Sequence, residues 1–205
     1  MMKKILIATN NKGKAKDFET LFVPYGFDVQ TLNDLEQDID VEETGVTFEE
    51  NAILKAETVS QMLGITVIAD DSGLEIDELQ GAPGVYSARY AGEPKNDEAN
   101  IDKVLSELQG VPEGERTARF RCVLAVAGPG RETATFSGSC EGLILEERRG
   151  SNGFGYDPIF YAPEKGLAMA ELTPEEKSQI SHRGAALRQL KEQLPQLLDL
   201  LGEGQ

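Results

Sequence analysis

The sequence predicts an α/β protein with a mixed sheet, and three observations carry that reading. Short apolar runs of strand length alternate with stretches of helical periodicity, in the order βαβ, then αβ, then ββ, then α. Two capping boxes, at Thr47 with Glu50 and at Thr173 with Glu176, mark where helices begin. The 205 residues are 40% hydrophobic and 27% charged, the balance of an ordinary globule with enough chain for a buried interior.

Taken in order, Ile5-Leu6-Ile7-Ala8 is a buried strand, followed by the turn-rich segment Thr9-Asn10-Asn11-Lys12-Gly13-Lys14. A helix follows, with Ala15, Phe18, Leu21 and Phe22 on one side. Residues 28–32 read as a second strand, and the acidic stretch 33–45 as loop. Behind Thr47, the residues Phe48, Ala52, Ala56, Val59 and Leu63 recur at spacings of 4, 4, 3 and 4, an amphipathic helix that Gly64 ends. Residues 65–69 form a strand that empties into Asp70-Asp71-Ser72-Gly73. Gly81-Ala82-Pro83-Gly84 is a turn. Ile101, Val104, Leu105 and Leu108 mark a helix capped by Asp97. Residues 116–127 alternate, with Ala118, Phe120, Cys122, Leu124 and Val126 on one face, and residues 133–140 are the hairpin partner. Beyond a glycine-rich loop at 150–155, Pro174 sits at the first position of a helical region that runs to about Leu194, with residues 202–205 as a frayed tail. No internal repeat or dividing linker interrupts the chain, so residues 1–205 are read as one domain.

Charge narrows the function. Against 20 basic residues stand 36 acidic ones, a net charge of −16. Such a polyanion has no whole-molecule attraction for nucleic acid or acidic lipid, so any phosphate must be held by a local basic pocket or a bridging metal. The apolar run at 5–8 is too short for a signal peptide, and no stretch approaches a membrane span. Cys122 and Cys140 lack metal spacing and read as reduced thiols, which together predicts a cytoplasmic protein.

Four segments carry candidate chemistry, each with a plainer alternative. The loop at Thr9 to Lys14 joins a strand to a helix N-terminus, where backbone N–H groups gather for an anion and Lys12 and Lys14 add positive charge. It lacks Walker spacing, and the alternative is an ordinary βα turn with solvent lysines. Asp70 and Asp71 stand at a strand end, where open α/β sheets place ligands, and carboxylates with water and phosphate oxygens suit magnesium. The alternative is an acidic turn. Gly153-Phe154-Gly155-Tyr156-Asp157-Pro158 offers close backbone approach and an aromatic face for a base, or is simply a tight packed loop. Lys177 and His182-Arg183, with the chain's single histidine, supply donors, or form a solvated helix face. No Ser-His-Asp or Cys-His arrangement is supported.

Together these residues meet the needs of a nucleoside triphosphate, and they resemble the inosine/xanthosine triphosphate pyrophosphatases. GAPGVYSARYAG, FGYDPIF and EEKSQISHRG carry the resemblance most specifically, and the matching segments run in family order across nearly the whole chain. One departure is Asn10, where the family has glycine; asparagine tolerates left-handed backbone angles better than most residues. The resemblance implies an elongated mixed sheet flanked by helices, two lobes with a central cleft, and a homodimer. It implies hydrolysis of ITP, dITP and XTP between the α and β phosphates, giving a monophosphate and pyrophosphate. Thr9, Asn10, Asn11, Lys12, Gly13 and Lys14 are implied to hold the triphosphate. Asp71 would be proton acceptor and magnesium ligand, with Glu43 a second ligand. Ser72, Phe154, Gly155, Tyr156, Asp157, Lys177, His182 and Arg183 fall at substrate-contacting positions.

Arg183 donates hydrogen bonds only, which suits the O6 of inosine and xanthosine and mismatches the amino group of adenosine. Two other readings stand beside this one. A related house-cleaning pyrophosphatase would prefer another modified base, and a nucleotide sensor would bind without turnover.

Overall fold

A computed structural model describes residues 3–37 and 39–193, without the side chains of Lys3 and Lys12. The elements are β1 (Lys3–Ile7), α1 (Lys12–Phe22), β2 (Phe27–Thr31), α2 (Phe48–Leu63), β3 (Val67–Ile76) and α3 (Asp97–Glu107). They continue with β4 (Thr117–Ala127), β5 (Ala134–Ile144), β6 (Phe160–Ala162), β7 (Leu167–Ala168), α4 (Pro174–Ile180) and α5 (His182–Glu192). The seven strands form one sheet in the order β2-β1-β3-β4-β5-β6-β7. β1 pairs in parallel with β2 and β3, while β5 with β6 and β6 with β7 are antiparallel. The expected α/β fold with a mixed sheet is therefore present.

By internal contacts the described residues divide into two compact units, one of 3–37, 39–71, 123–137 and 186–193, the other of 72–122 and 138–185. In the first, β1 is buried along residues 5–7, as a strand with parallel neighbours on both sides must be. Ala15, Phe18 and Phe22 form the buried stripe of α1, and Phe22 meets Phe27 of β2 edge-on with ring centroids 5.9 Å apart. Burying each such phenylalanine contributes roughly 1.5–3 kcal/mol. Helix α2 begins where its capping box predicts, with Thr47 Oγ1 accepting from Glu50 N, and ends at Gly64 with φ +67°.

In the second unit, Leu74 and Ile76 of β3, Ile101 and Val104 of α3 and Phe120 of β4 share one core with Phe160. Arg116 is buried there and donates to four backbone carbonyls, those of Leu108, Val111, Ile144 and Leu145, so its charge is satisfied without a carboxylate.

Several expectations are corrected. β3 does not stop at Ala69: Asp70, Asp71, Ser72 and Gly73 lie inside a ten-residue strand. The cap of α3 is Asn96, whose side chain accepts from Ala99 N, and Asp97 is the first helical residue. The alternation of β4 gives way after Cys122 to burial of every residue, because both faces are then covered. The C-terminal helical region is broken at Ser181, whose extended ψ of 154° separates α4 from α5. β6 and β7, too short to show periodicity, were not expected. Leu194 and the tail at 202–205 lie outside the described residues.

Candidate active site

In the first unit, β1 delivers Thr9 to the start of α1. Asn11 caps that helix, its Oδ1 accepting from Gly13 N at 2.9 Å and Lys14 N at 3.1 Å, while its own N–H donates to Thr9 Oγ1. Two of the amides expected to await an anion are thus already held by the asparagine, because an N-cap side chain satisfies the donors a helix leaves open. Asn10 accepts at its carbonyl from Asn33 Nδ2. Among the described residues Gln80, not Asn10, is the non-glycine with a positive φ. The Lys12 side chain lies outside the described atoms.

Lys14 extends from the first turn of α1 to Asp70, Nζ to Oδ2 2.9 Å. Asp70 and Asp71 are both buried, at 1% and 7% exposure, and as successive residues of β3 they point to opposite faces of the strand. Lys55, on α2, forms an ion pair with Glu43 at 2.5 Å and donates to the Asp70 carbonyl at 3.0 Å. The segment that carries Glu43 is fastened to α2 by the buried Asn51, whose Oδ1 accepts from Gly45 N. A Cβ at Gly45 would lie 2.6 Å from that same oxygen, so only glycine allows the approach. Lys55 is the functional candidate that the sequence reading missed. Its signal was a lysine one residue before Ala56, at the edge of the apolar stripe of α2.

Three carboxylates, Glu43, Asp70 and Asp71, thus meet two ammonium groups. Burial pushes the Asp71 carboxyl up to about 6, Glu43 and Asp70 push it the same way, and Lys55 and Lys14 oppose them. Burial pulls the Lys55 ammonium down, but the charges of Asp70, Glu43 and Asp71 outweigh it and hold the group above its ordinary value. Among the described residues no group of three or more His, Cys, Asp or Glu is placed to hold a metal ion. Two carboxylates, Glu43 and Asp71, still fit magnesium, which takes oxygen ligands and draws the rest of its shell from water and substrate phosphate. The surplus of negative charge over the two lysines also favours a cation.

The second unit holds a different cluster. Phe154, 40% exposed, carries Lys177 Nζ at 4.9 Å and the Arg183 guanidinium at 6.0 Å from its ring centroid. Asp157, 3% exposed, accepts from Phe154 N at 3.0 Å and from Lys177 Nζ in a very short contact. Arg183 Nη2 donates to Ser72 Oγ at 3.0 Å. The break at Ser181 starts α5 at His182, so His182 and Arg183 both belong to its first turn. His182 is stacked on Phe120, centroids 4.9 Å apart. Tyr156 differs from its neighbours: its ring is part of the core and its hydroxyl donates to the Ser87 carbonyl.

The structure therefore gathers Lys14, Glu43, Asp70, Asp71 and Lys55 in one unit. It gathers Ser72, Phe154, Asp157, Lys177 and Arg183 in the other, with His182 beside Arg183 in sequence. The first group suits a polyanion that brings a cation with it, and the second suits a flat ring bearing hydrogen-bond acceptors.

The chain belongs to the Ham1 family, which it matches over residues 5–193. It is 57% identical over 197 residues to a protein of Bacillus cereus named dITP/XTP pyrophosphatase, spanning 95% of this chain and 96% of that one. A protein of the same name from Bacillus subtilis is 58% identical over 194 residues, spanning 95% of this chain and 98% of the relative. Among solved structures, the Staphylococcus aureus Ham1 protein superposes with a TM-score of 0.86 at 52% identity, covering 94% of this chain and 98% of that one. A HAM1 protein from Coxiella burnetii gives a TM-score of 0.87 at 42% identity, covering 95% of this chain and all of the other.

Proposed function

We propose that this protein hydrolyses the non-standard purine triphosphates dITP, XTP and ITP to a nucleoside monophosphate and pyrophosphate, cleansing the nucleotide pool. The observation that carries the reading is the buried carboxyl of Asp71, set beside Asp70 and Glu43 in the field of Lys14 and Lys55. The relatives named dITP/XTP pyrophosphatase, more than half identical over nearly the whole chain, supply the substrate class.

Lys14 and Lys55 offset the charge of the phosphates. Asp71 accepts a proton from water as the water oxygen bonds to the α-phosphorus. The bond from that phosphorus to the α–β bridging oxygen breaks, and its electrons leave with pyrophosphate. No covalent intermediate is needed. Glu43 and Asp71 are the residues that would hold Mg2+, which supplies charge neutralisation and Lewis acidity when bound.

The Phe154 ring and the two cations over it, Lys177 and Arg183, take the base. Arg183 donates to O6 of hypoxanthine or xanthine, and a buried donor facing the amino group of adenine is left unpaired. Guanine shares O6, so this contact does not reject it. Asp157 serves this cluster by holding Phe154 N and Lys177 together, and the side chain of Tyr156 serves it from the core. We also propose a cytoplasmic homodimer. The two free cysteines are buried and no helix among the described residues is long and apolar enough to cross a membrane, which are compatible with that placement.

The route of the oxygen tests the chemistry. Hydrolysis of ITP with magnesium in water enriched in heavy oxygen is expected to label IMP and leave pyrophosphate unlabelled. Label in pyrophosphate, or release of single phosphate, would overturn attack at the α-phosphorus.

A further inference from the structure

Helix α3 bears three acids in its first two turns, and they have different partners. Arg148 takes two of them, reaching Glu98 Oε2 at 3.1 Å and Asp102 Oδ1 at 2.7 Å. Asp97 is not the helix cap, since Asn96 fills that place. Its Oδ2 instead accepts from Gly155 N at 2.9 Å, across 58 residues of sequence.

That bond falls at a telling place. Phe154 N donates to Asp157 Oδ2 and Gly155 N donates to Asp97 Oδ2, so the two peptide groups on either side of the Phe154 side chain are each held by a carboxylate. Gly153 and Gly155 flank the ring with φ of +78° and +59°, conformations that leave the backbone little stiffness of its own. A loop of this kind keeps one orientation only if outside groups fix it. The same helix turn holds, through Asn100, the segment on which Tyr156 rests. Asn100 Nδ2 donates to the carbonyls of Ser87 and Ala88, and Ser87 O also accepts the Tyr156 hydroxyl.

We infer that Asp97 is a positioning residue for base recognition: by holding Gly155 N it sets the pose of the Phe154 ring that receives the purine. The inference rests on the reading of Phe154 as the base platform. It predicts that losing the carboxylate weakens contacts to the base and leaves contacts to the phosphates untouched. Asparagine at this position keeps a carbonyl oxygen for Gly155 N and restores most of the effect.

The test is calorimetric binding of IMP and of pyrophosphate to the full-length enzyme, with ITP turnover measured beside it. Asp97→Ala is expected to weaken IMP about fivefold, the loss of one exposed hydrogen bond to a charged acceptor, and to leave pyrophosphate unchanged. The KM for ITP rises by a similar factor while kcat holds, and Asp97→Asn lies close to wild type. If Asp97→Ala binds IMP as wild type does, or weakens IMP and pyrophosphate equally, the positioning role is overturned and the base platform stands. If wild type itself binds pyrophosphate but not IMP, the base platform fails and takes this inference with it.

Discussion

Asp71 shows how burial of a single carboxyl sets its titration at a cost in stability. Its carboxyl ordinarily titrates at 3.8 and here sits at about 6, chiefly because it is buried. The unfolded chain loses that proton above about pH 4 while the folded chain keeps it to about pH 6, so ionisation costs stability that grows across this window and is full above it. Asp71→Asn removes the cost and leaves Lys14 and Lys55 facing two carboxylates, Glu43 and Asp70. In chelator at pH 8 this variant is expected to be more stable than wild type by about 1–3 kcal/mol, with the gain fading as the pH falls to 4. Thermal melts across that range check it, and a difference independent of pH would contradict the assigned titration. Lys55 shows what a sequence read by stripes passes over. A lysine beside Ala56 looks like the wet edge of an amphipathic helix. Its role appears only when the fold brings Glu43 and the Asp70 carbonyl to its ammonium.

At the scale of elements, helices with strong end signals were legible and irregular or short pieces were not. Thr47 and Thr173 gave the starts of α2 and α4 because side-chain capping is local chemistry. β3 was cut short because two aspartates and a glycine read as a turn, whereas tertiary packing and the nearby lysines keep that segment extended. The candidate loop at Phe154 was visible from its glycines, but not which side chains face a ligand: Tyr156 is turned into the core, a fact set by the Ser87 carbonyl far away in sequence. The loop also yields a test of its geometry. A Cβ at Gly153 would lie 2.0 Å from Asp157 Oδ2, at a φ that disfavours any side chain. Gly153→Ala is therefore expected to cost about 1–3 kcal/mol and to raise the KM for ITP. Gly114→Ala, with open space around it, is the neutral control in denaturant unfolding. Equal behaviour of the two variants would contradict the packing described.

For the whole molecule, charge and order of elements told more than any single motif. A net charge of −16 set aside nucleic acid and acidic membranes as general partners, and the alternation of strands and helices gave the mixed sheet that the structure contains. The division into two units was not legible from composition, because β3, β4 and β5 each contribute residues to both and no linker marks the change. The proposed homodimer is open to a direct mass measurement. Sedimentation equilibrium is expected to return twice the 22.3 kDa of one chain, and a mass of one chain at micromolar concentration would contradict it.

A single assay reaches the reaction, the substrate class and the carboxylate of Asp71 together. Pyrophosphate release is measured from ITP, XTP, dITP, GTP, ATP and dTTP with magnesium, for wild type and Asp71→Asn. Fast release is expected from the first three, with much slower release from ATP and dTTP and loss of activity in the variant. Release that ignores the base, or a variant as active as wild type, would contradict the proposed function.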